Sequence, residues 1–115
     1  MWRETMRARL CCVGAILTLA GTGPAAADRV GDGHRKAVQC IACHGMEGMA
    51  PNPTFPHLAG QNAAYLATQL ERFRTGERYD PLMTPVAQTL SDQDIEDLAA
   101  YYSELRPLTE ARSEP

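Results

Sequence analysis

The sequence predicts an all-α domain, on three observations. Apolar residues recur at helical spacing in two windows: Leu66, Leu70 and Phe73, then Ile95, Leu98, Tyr102 and Leu105. Each window opens on a capping residue and closes on a breaker, Asn62 with Gly76 and Ser91 with Pro107. No stretch alternates apolar and polar residues as a half-buried strand does.

Residues 1–27 read as a secretory signal peptide rather than as fold. Arg3, Arg7 and Arg9 make a positive start, Leu10 to Ala20 is an uncharged apolar run, and Pro24 with Ala25-Ala26-Ala27 supplies a small-residue cleavage signal. The run is too short for a membrane span. With no twin-arginine pair, the general export route is expected, to the periplasm. Cys11 and Cys12 stand at the start of the run. A lipid-anchored cysteine needs small residues before it, at the run's end, and Arg9 and Leu10 precede Cys11. Cleavage after Ala27 leaves residues 28–115 as one domain with two of the four cysteines.

Along that domain, Gly31 to Gln39 reads as the end of a helix weakened by Gly31 and Gly33. Gly45 to Gly60 is rich in Gly and Pro and reads as a loop. Asn62 caps a helix running through Thr75, stopped by Gly76. Glu77 to Thr89 holds Pro81 and Pro85 and is expected to be mostly extended. Ser91 caps the last helix, where Asp92 and Asp94 favour the positive N-terminal end.

The whole chain carries a formal charge of −3. Residues 1–27 hold three arginines and one glutamate, so residues 28–115 stand at −5. That balance argues against nucleic acid. It fits docking to basic patches on protein partners, at rates that fall as salt rises. A domain of this size has a marginal core, which a covalently held cofactor would staple.

Cys40-Ile41-Ala42-Cys43-His44 carries the chemistry. Two thiols three apart, with a histidine directly after, read as a c-type haem attachment site. Each thiol adds across one vinyl group of the haem, and His44 is placed to ligate the iron. A structural zinc site needs four ligands, usually with a second Cys or His pair. The other histidines, His34 and His57, form no such pair. A redox dithiol expects a βαβ context, and no strand pattern surrounds these residues.

From Asp28 to Leu105 the chain resembles the class I c-type cytochromes. The likeness is greatest to small bacterial ones that occur singly or as halves of diheme periplasmic electron carriers. The matching strings are Gly33, Cys40-x-x-Cys43-His44-Gly45 and Pro56-His57-Leu58-Ala59-Gly60-Gln61. They continue with Tyr65-Leu66-x-x-Gln69-Leu70-x-x-Phe73-x-x-Gly76-x-Arg78, Met83, and Leu90-Ser91-Asp92 through Tyr101-Tyr102. The resemblance implies three to four helices around one covalent haem c, with thioether bonds at Cys40 and Cys43. It implies His44 and Met83 as the iron's axial ligands, Met83 from an extended proline-flanked loop. Met46 and Met49 are its rivals by type, and a packing methionine is the commoner fate of any Met. Pro56 matches the proline whose carbonyl accepts a hydrogen bond from the axial histidine. Leu58 is expected on the ring and Arg78 near the propionates. Arg72 and Arg74 are as well explained by a solvated helix face. Gly33 matches the small residue that lets the first helix cross the last one against Tyr101.

What the resemblance implies is electron carriage, not enzymatic turnover. An iron with both axial positions filled has no open place for substrate. Partners would be redox proteins: a dehydrogenase, a reductase or a terminal oxidase. The alternative within the same chemistry is a haem c subunit of a periplasmic dehydrogenase or reductase complex. A ligand-binding or peroxidase haem protein is a third reading, marked by carbon monoxide binding.

Overall fold

The computed structural model describes residues 25–107. The signal-peptide reading rests on residues that, up to Gly23 and Pro24, lie outside the described ones. Among the described residues there are helices and turns and no strand.

α1 spans Ala26–Lys36, with Asp28 in its first turn and His34, Arg35 and Lys36 in its last. That arrangement matches charge to both ends of the helix dipole. A 3₁₀ turn, Ala37–Cys40, leads directly into the one-turn helix α2, Ile41–His44. The Gly- and Pro-rich loop follows, with a 3₁₀ turn at Met46–Gly48.

α3 spans Ala63–Thr75. The Asn62 side chain accepts the Tyr65 N–H at 3.0 Å, satisfying one of the helix's orphan donors. Gly76 ends the helix in the left-handed region at φ 79°, where a side chain is strained. The chain reverses there, and the Arg78 N–H reaches back to the Arg72 carbonyl at 3.0 Å.

The expected extended course of Glu77 to Thr89 needs correcting. Met83–Ala87 forms a short helix, α4. Asp80 Oδ1 accepts the N–H groups of Leu82 and Met83, each at 2.8 Å, and Thr84 Oγ1 accepts the Asp80 N–H at 2.9 Å. Asp80 thus caps this turn, and Pro81 stands directly after the cap, where proline's missing N–H costs nothing. Pro85 falls in the first turn of α4 and is tolerated for the same reason. The two prolines read as breakers in the sequence are helix starters in the fold.

α5 spans Asp92–Glu104 behind a full capping box. Ser91 Oγ accepts the Asp94 N–H at 3.1 Å, and the Asp94 carboxylate accepts the Ser91 N–H at 2.9 Å. Ile95 and Leu98 are almost fully buried and anchor a core with Ala37, Leu66, Leu90, Tyr101 and Tyr102.

α1 crosses α5 at Gly33. A Cβ there would stand 2.0 Å from the Asp97 carbonyl oxygen and 2.6 Å from the Tyr101 Cβ, so only glycine permits this approach. The same crossing carries an ionic cluster. Lys36 Nζ lies 2.7 Å from Asp97 Oδ2 and 2.8 Å from Asp94 Oδ1. Gln93 Nε2 donates to the other Asp97 oxygen at 2.7 Å. Asp97 is 1% exposed, so without these partners it would be a buried carboxylate with its hydrogen-bonding capacity unmet, which is costly. The acidic stretch at the start of α5 is therefore more than a helix start: two of its carboxylates fasten α1.

Candidate functional site

A single cavity of about 500 Å³ is walled by α2, the loop after it, α3, the α4 turn and α5. All seven residues singled out from the sequence line it: Cys40, Cys43, His44, Pro56, Leu58, Arg78 and Met83. The walls are mostly apolar, with Leu66, Leu70 and Phe73 from α3 and Leu98 from α5. Apolar walls with a few placed polar groups are the common form of a cofactor site.

Cys40 and Cys43 are both half-buried. Burial pushes the Cys40 thiol above its usual range, against a Tyr102 hydrogen bond that favours the thiolate. Tyr102 is also raised, by burial first and then by Cys40. In the sequence Tyr102 belongs to the core stripe of α5 and to a matching string; its interaction with Cys40 crosses 62 positions of the chain and leaves no local signal.

His44 is 6% exposed. Its Nδ1 lies 2.9 Å from the Pro56 carbonyl oxygen. A carbonyl only accepts, so Nδ1 carries the proton and donates it. The Nε2 lone pair is then left for a metal, and the hydrogen bond fixes the plane of the ring. The Phe55 ring packs tilted against His44 at 6.4 Å between centroids.

Met83 brings a thioether to the same cavity. Its position depends on the α4 turn, and so on Asp80. The N–H of Met83, then that of Leu82, holds the Asp80 carboxyl below its ordinary value. Met46 and Met49 do not line this cavity. Met46 is 72% exposed and borders a separate hollow with His34 and Tyr101.

The three arginines divide clearly. Arg72 pairs with Glu77 at 3.3 Å and Arg74 with Asp92 at 2.6 Å, and neither lines the cavity. Arg78 does, with its guanidinium carbon 4.4 Å from the Phe73 ring centroid and Nη1 donating to Gln69 Oε1 at 2.7 Å. Gln69 appeared in the sequence only as part of a matching string; its place beside Leu66 and Phe73 on one face of α3 was the signal for its role. His57 also borders the cavity, but its Nδ1 accepts the Ala50 N–H at 2.8 Å.

This donor set fits haem c. Two thiols, an imidazole with Nε2 directed away from its own hydrogen bond, and a soft thioether share one apolar enclosure. It does not fit structural zinc, because among the described residues no three His, Cys, Asp or Glu side chains gather as metal ligands.

Known proteins agree with the geometry. A family model described as cytochrome c oxidase, cbb3-type, subunit III matches residues 25–101. Cytochrome c-554(548) of Halomonas halodenitrificans is 45% identical over 87 residues, covering 73% of this chain and 96% of that one. A thiosulfate dehydrogenase electron acceptor of Stutzerimonas stutzeri is 43% identical over 72 residues, covering 60% of this chain and 33% of that one. The structure of reduced recombinant cytochrome c4 from Pseudomonas stutzeri superposes with a TM-score of 0.61 at 37% identity, over 73% of this chain and 50% of the other. The chain spans about half the length of the cytochromes c4 it matches. A Cys-x-x-Cys-His pentapeptide at the edge of a helical enclosure, matched across most of the chain by these relatives, places the protein in a family: it belongs to the class I c-type cytochromes.

Proposed function

We propose that the chain is a periplasmic electron carrier that holds one haem c in the cavity described above. One observation carries the reading: Cys40, Cys43, His44 and Met83 line a single apolar enclosure, although Met83 lies 39 positions from His44. When bound, haem c supplies one-electron chemistry between Fe(II) and Fe(III).

The chain's own residues do the rest. Cys40 and Cys43 would tether the porphyrin through thioethers. His44 offers Nε2 while Pro56 holds its Nδ1 proton and so its orientation. Met83 would offer its thioether sulfur to the iron from the α4 side of the cavity, and Met/His ligation would favour a higher potential. Leu58, Leu66 and Leu70 exclude water, which keeps the charge change within a low dielectric. Arg78 offers a cation to the porphyrin carboxylates. Residues 1–27 act as the export signal. A haem iron held by both His44 and Met83 would keep no open place for substrate, which supports a carrier rather than an enzyme.

The test is a reduced-minus-oxidised spectrum with the near-infrared methionine-to-iron band, after acid-acetone extraction. Colour that stays with the protein and a near-infrared band are expected. Freely extracted haem, or ready carbon monoxide binding by the unmodified protein, overturns the reading. The finer alternative is a haem subunit serving one dehydrogenase. The likeness to a thiosulfate dehydrogenase electron acceptor favours a dehydrogenase as donor. Co-purification with a larger enzyme would establish a fixed complex, and its absence a free carrier.

A further inference from the structure

We propose that Gln69 is a positioning residue for Arg78, holding its guanidinium on the Phe73 ring so that a fixed positive charge faces the carboxylates of the bound haem and raises its reduction potential. The inference rests on the haem c reading above and names a residue that sets the tuning of that site.

The backbone first brings the arginine home. Gly76 reverses the chain at φ 79°, and the Arg78 N–H bonds to the Arg72 carbonyl at 3.0 Å. Residue 78 therefore returns beside α3, whose Gln69 and Phe73 are four apart and share a face. The guanidinium then has two contacts from that face. Its carbon stands 4.4 Å from the Phe73 ring centroid, within cation–π range. Its Nη1 donates to Gln69 Oε1 at 2.7 Å. All three side chains line the cavity.

The kind of partner sets Arg78 apart. Arg29, Arg35, Arg72 and Arg74 each hold a carboxylate. Arg78 forms no ion pair among the described residues; it is held by a neutral amide and an aromatic face. The Asp80 carboxylate, the acid that feels its charge, is engaged with the N–H groups of Leu82 and Met83. A glutamate at position 69 would fix the arginine equally well and cancel its charge. A glutamine fixes it and leaves the charge whole. A guanidinium has five N–H donors, and the Gln69 bond uses one, so a fork remains for a carboxylate. Without a holder, a long arginine chain at a cavity edge extends to water.

A positive charge near the iron favours the reduced state, which carries one more electron. The experiment is a potentiometric titration of the covalent holoprotein, comparing the parent with Arg78→Gln, Gln69→Leu, and both together. Arg78→Gln is expected to lower the potential. Gln69→Leu is expected to lower it in the same direction by no more. The double variant should match Arg78→Gln alone, because Gln69 acts through the arginine. Gln69→Glu should lower the potential with Arg78 retained. Gln69→Asn, which keeps the amide but falls short of the guanidinium, should also lower the potential, and it stands in for Gln69→Leu where that variant fails to fold. A parent potential in Gln69→Leu, or in Gln69→Asn where it stands in, overturns the proposal. So does a shift equally large with or without Arg78. A parent protein that loses its haem to acid-acetone overturns the carrier reading itself, whereas unresponsive Gln69 variants of an intact parent overturn only this inference.

Discussion

Gly33 on α1 lies so close to Asp97 on α5 that a Cβ would come within 2.0 Å of the Asp97 carbonyl oxygen. That crossing sets the distance between the helix that delivers the cysteines and the helix that closes the core. Gly33→Ala must push the helices apart, since the obstruction is backbone. It is expected to destabilise the domain by about 1–3 kcal/mol, the usual cost of over-packing. Gly31, whose nearest neighbour would be an Arg35 nitrogen at 3.8 Å, is the control. Gly31→Ala should be neutral or stabilising, because alanine is the better helix former. Chemical denaturation of both variants checks the pair, and equal losses would contradict the crossing argument.

Met83→Ala should leave the covalent colour in place, remove the near-infrared methionine band, lower the potential and admit carbon monoxide. Met46→Ala should do none of these, since Met46 lies outside the cavity and is 72% exposed. Loss of the band in the Met46 variant, with the Met83 variant unchanged, would reverse the ligand assignment.

Asp80 caps the turn that carries Met83. Asp80→Ala strands the N–H groups of Leu82 and Met83 and should lower the melting temperature and weaken the near-infrared band together. Asp80→Asn keeps an acceptor at the same place and should preserve most of both. A stable band in Asp80→Ala would show that the heme-side packing alone holds the turn.

The Lys36 cluster makes stability depend on pH. Lys36, then Ser91, holds the Asp94 carboxyl down to about 2 from 3.8. A depressed folded value means the contribution is full above 3.8 and disappears as pH falls toward about 2. Screening at this partly exposed pair limits it to about 1 kcal/mol. Lys36 is the converse: Asp94, then Asp97, raises it above 10.5. Its contribution is full below that value and is lost as pH climbs through the raised one. Thermal melts across the acid range should show a slope that Asp94→Asn flattens; an unchanged slope would assign acid unfolding to other carboxylates.

Local signals gave much of the fold in advance. Asn62 and Ser91 cap their helices as their side chains allow, and Gly76 stops α3 where only a left-handed residue continues. The α4 turn was misread because Pro81 and Pro85 were weighed as breakers. Asp80-Pro81 is a start signal, and the hydrogen bonds of Asp80 show why.

The sequence by itself determined the cofactor class and the long helices, because both are written in short spacings: three positions between thiols, three to four between apolar residues. Tertiary structure alone decided that Gln69 holds Arg78 and that Lys36 fastens two carboxylates 58 and 61 positions away. Residue type cannot separate Met83 from Met46, or Arg78 from Arg72; the family resemblance points to Met83 and Arg78, and the fold brings both to the cavity. That placement belongs to the chain reversal at Gly76 and the close crossing at Gly33, which bring distant segments to one enclosure.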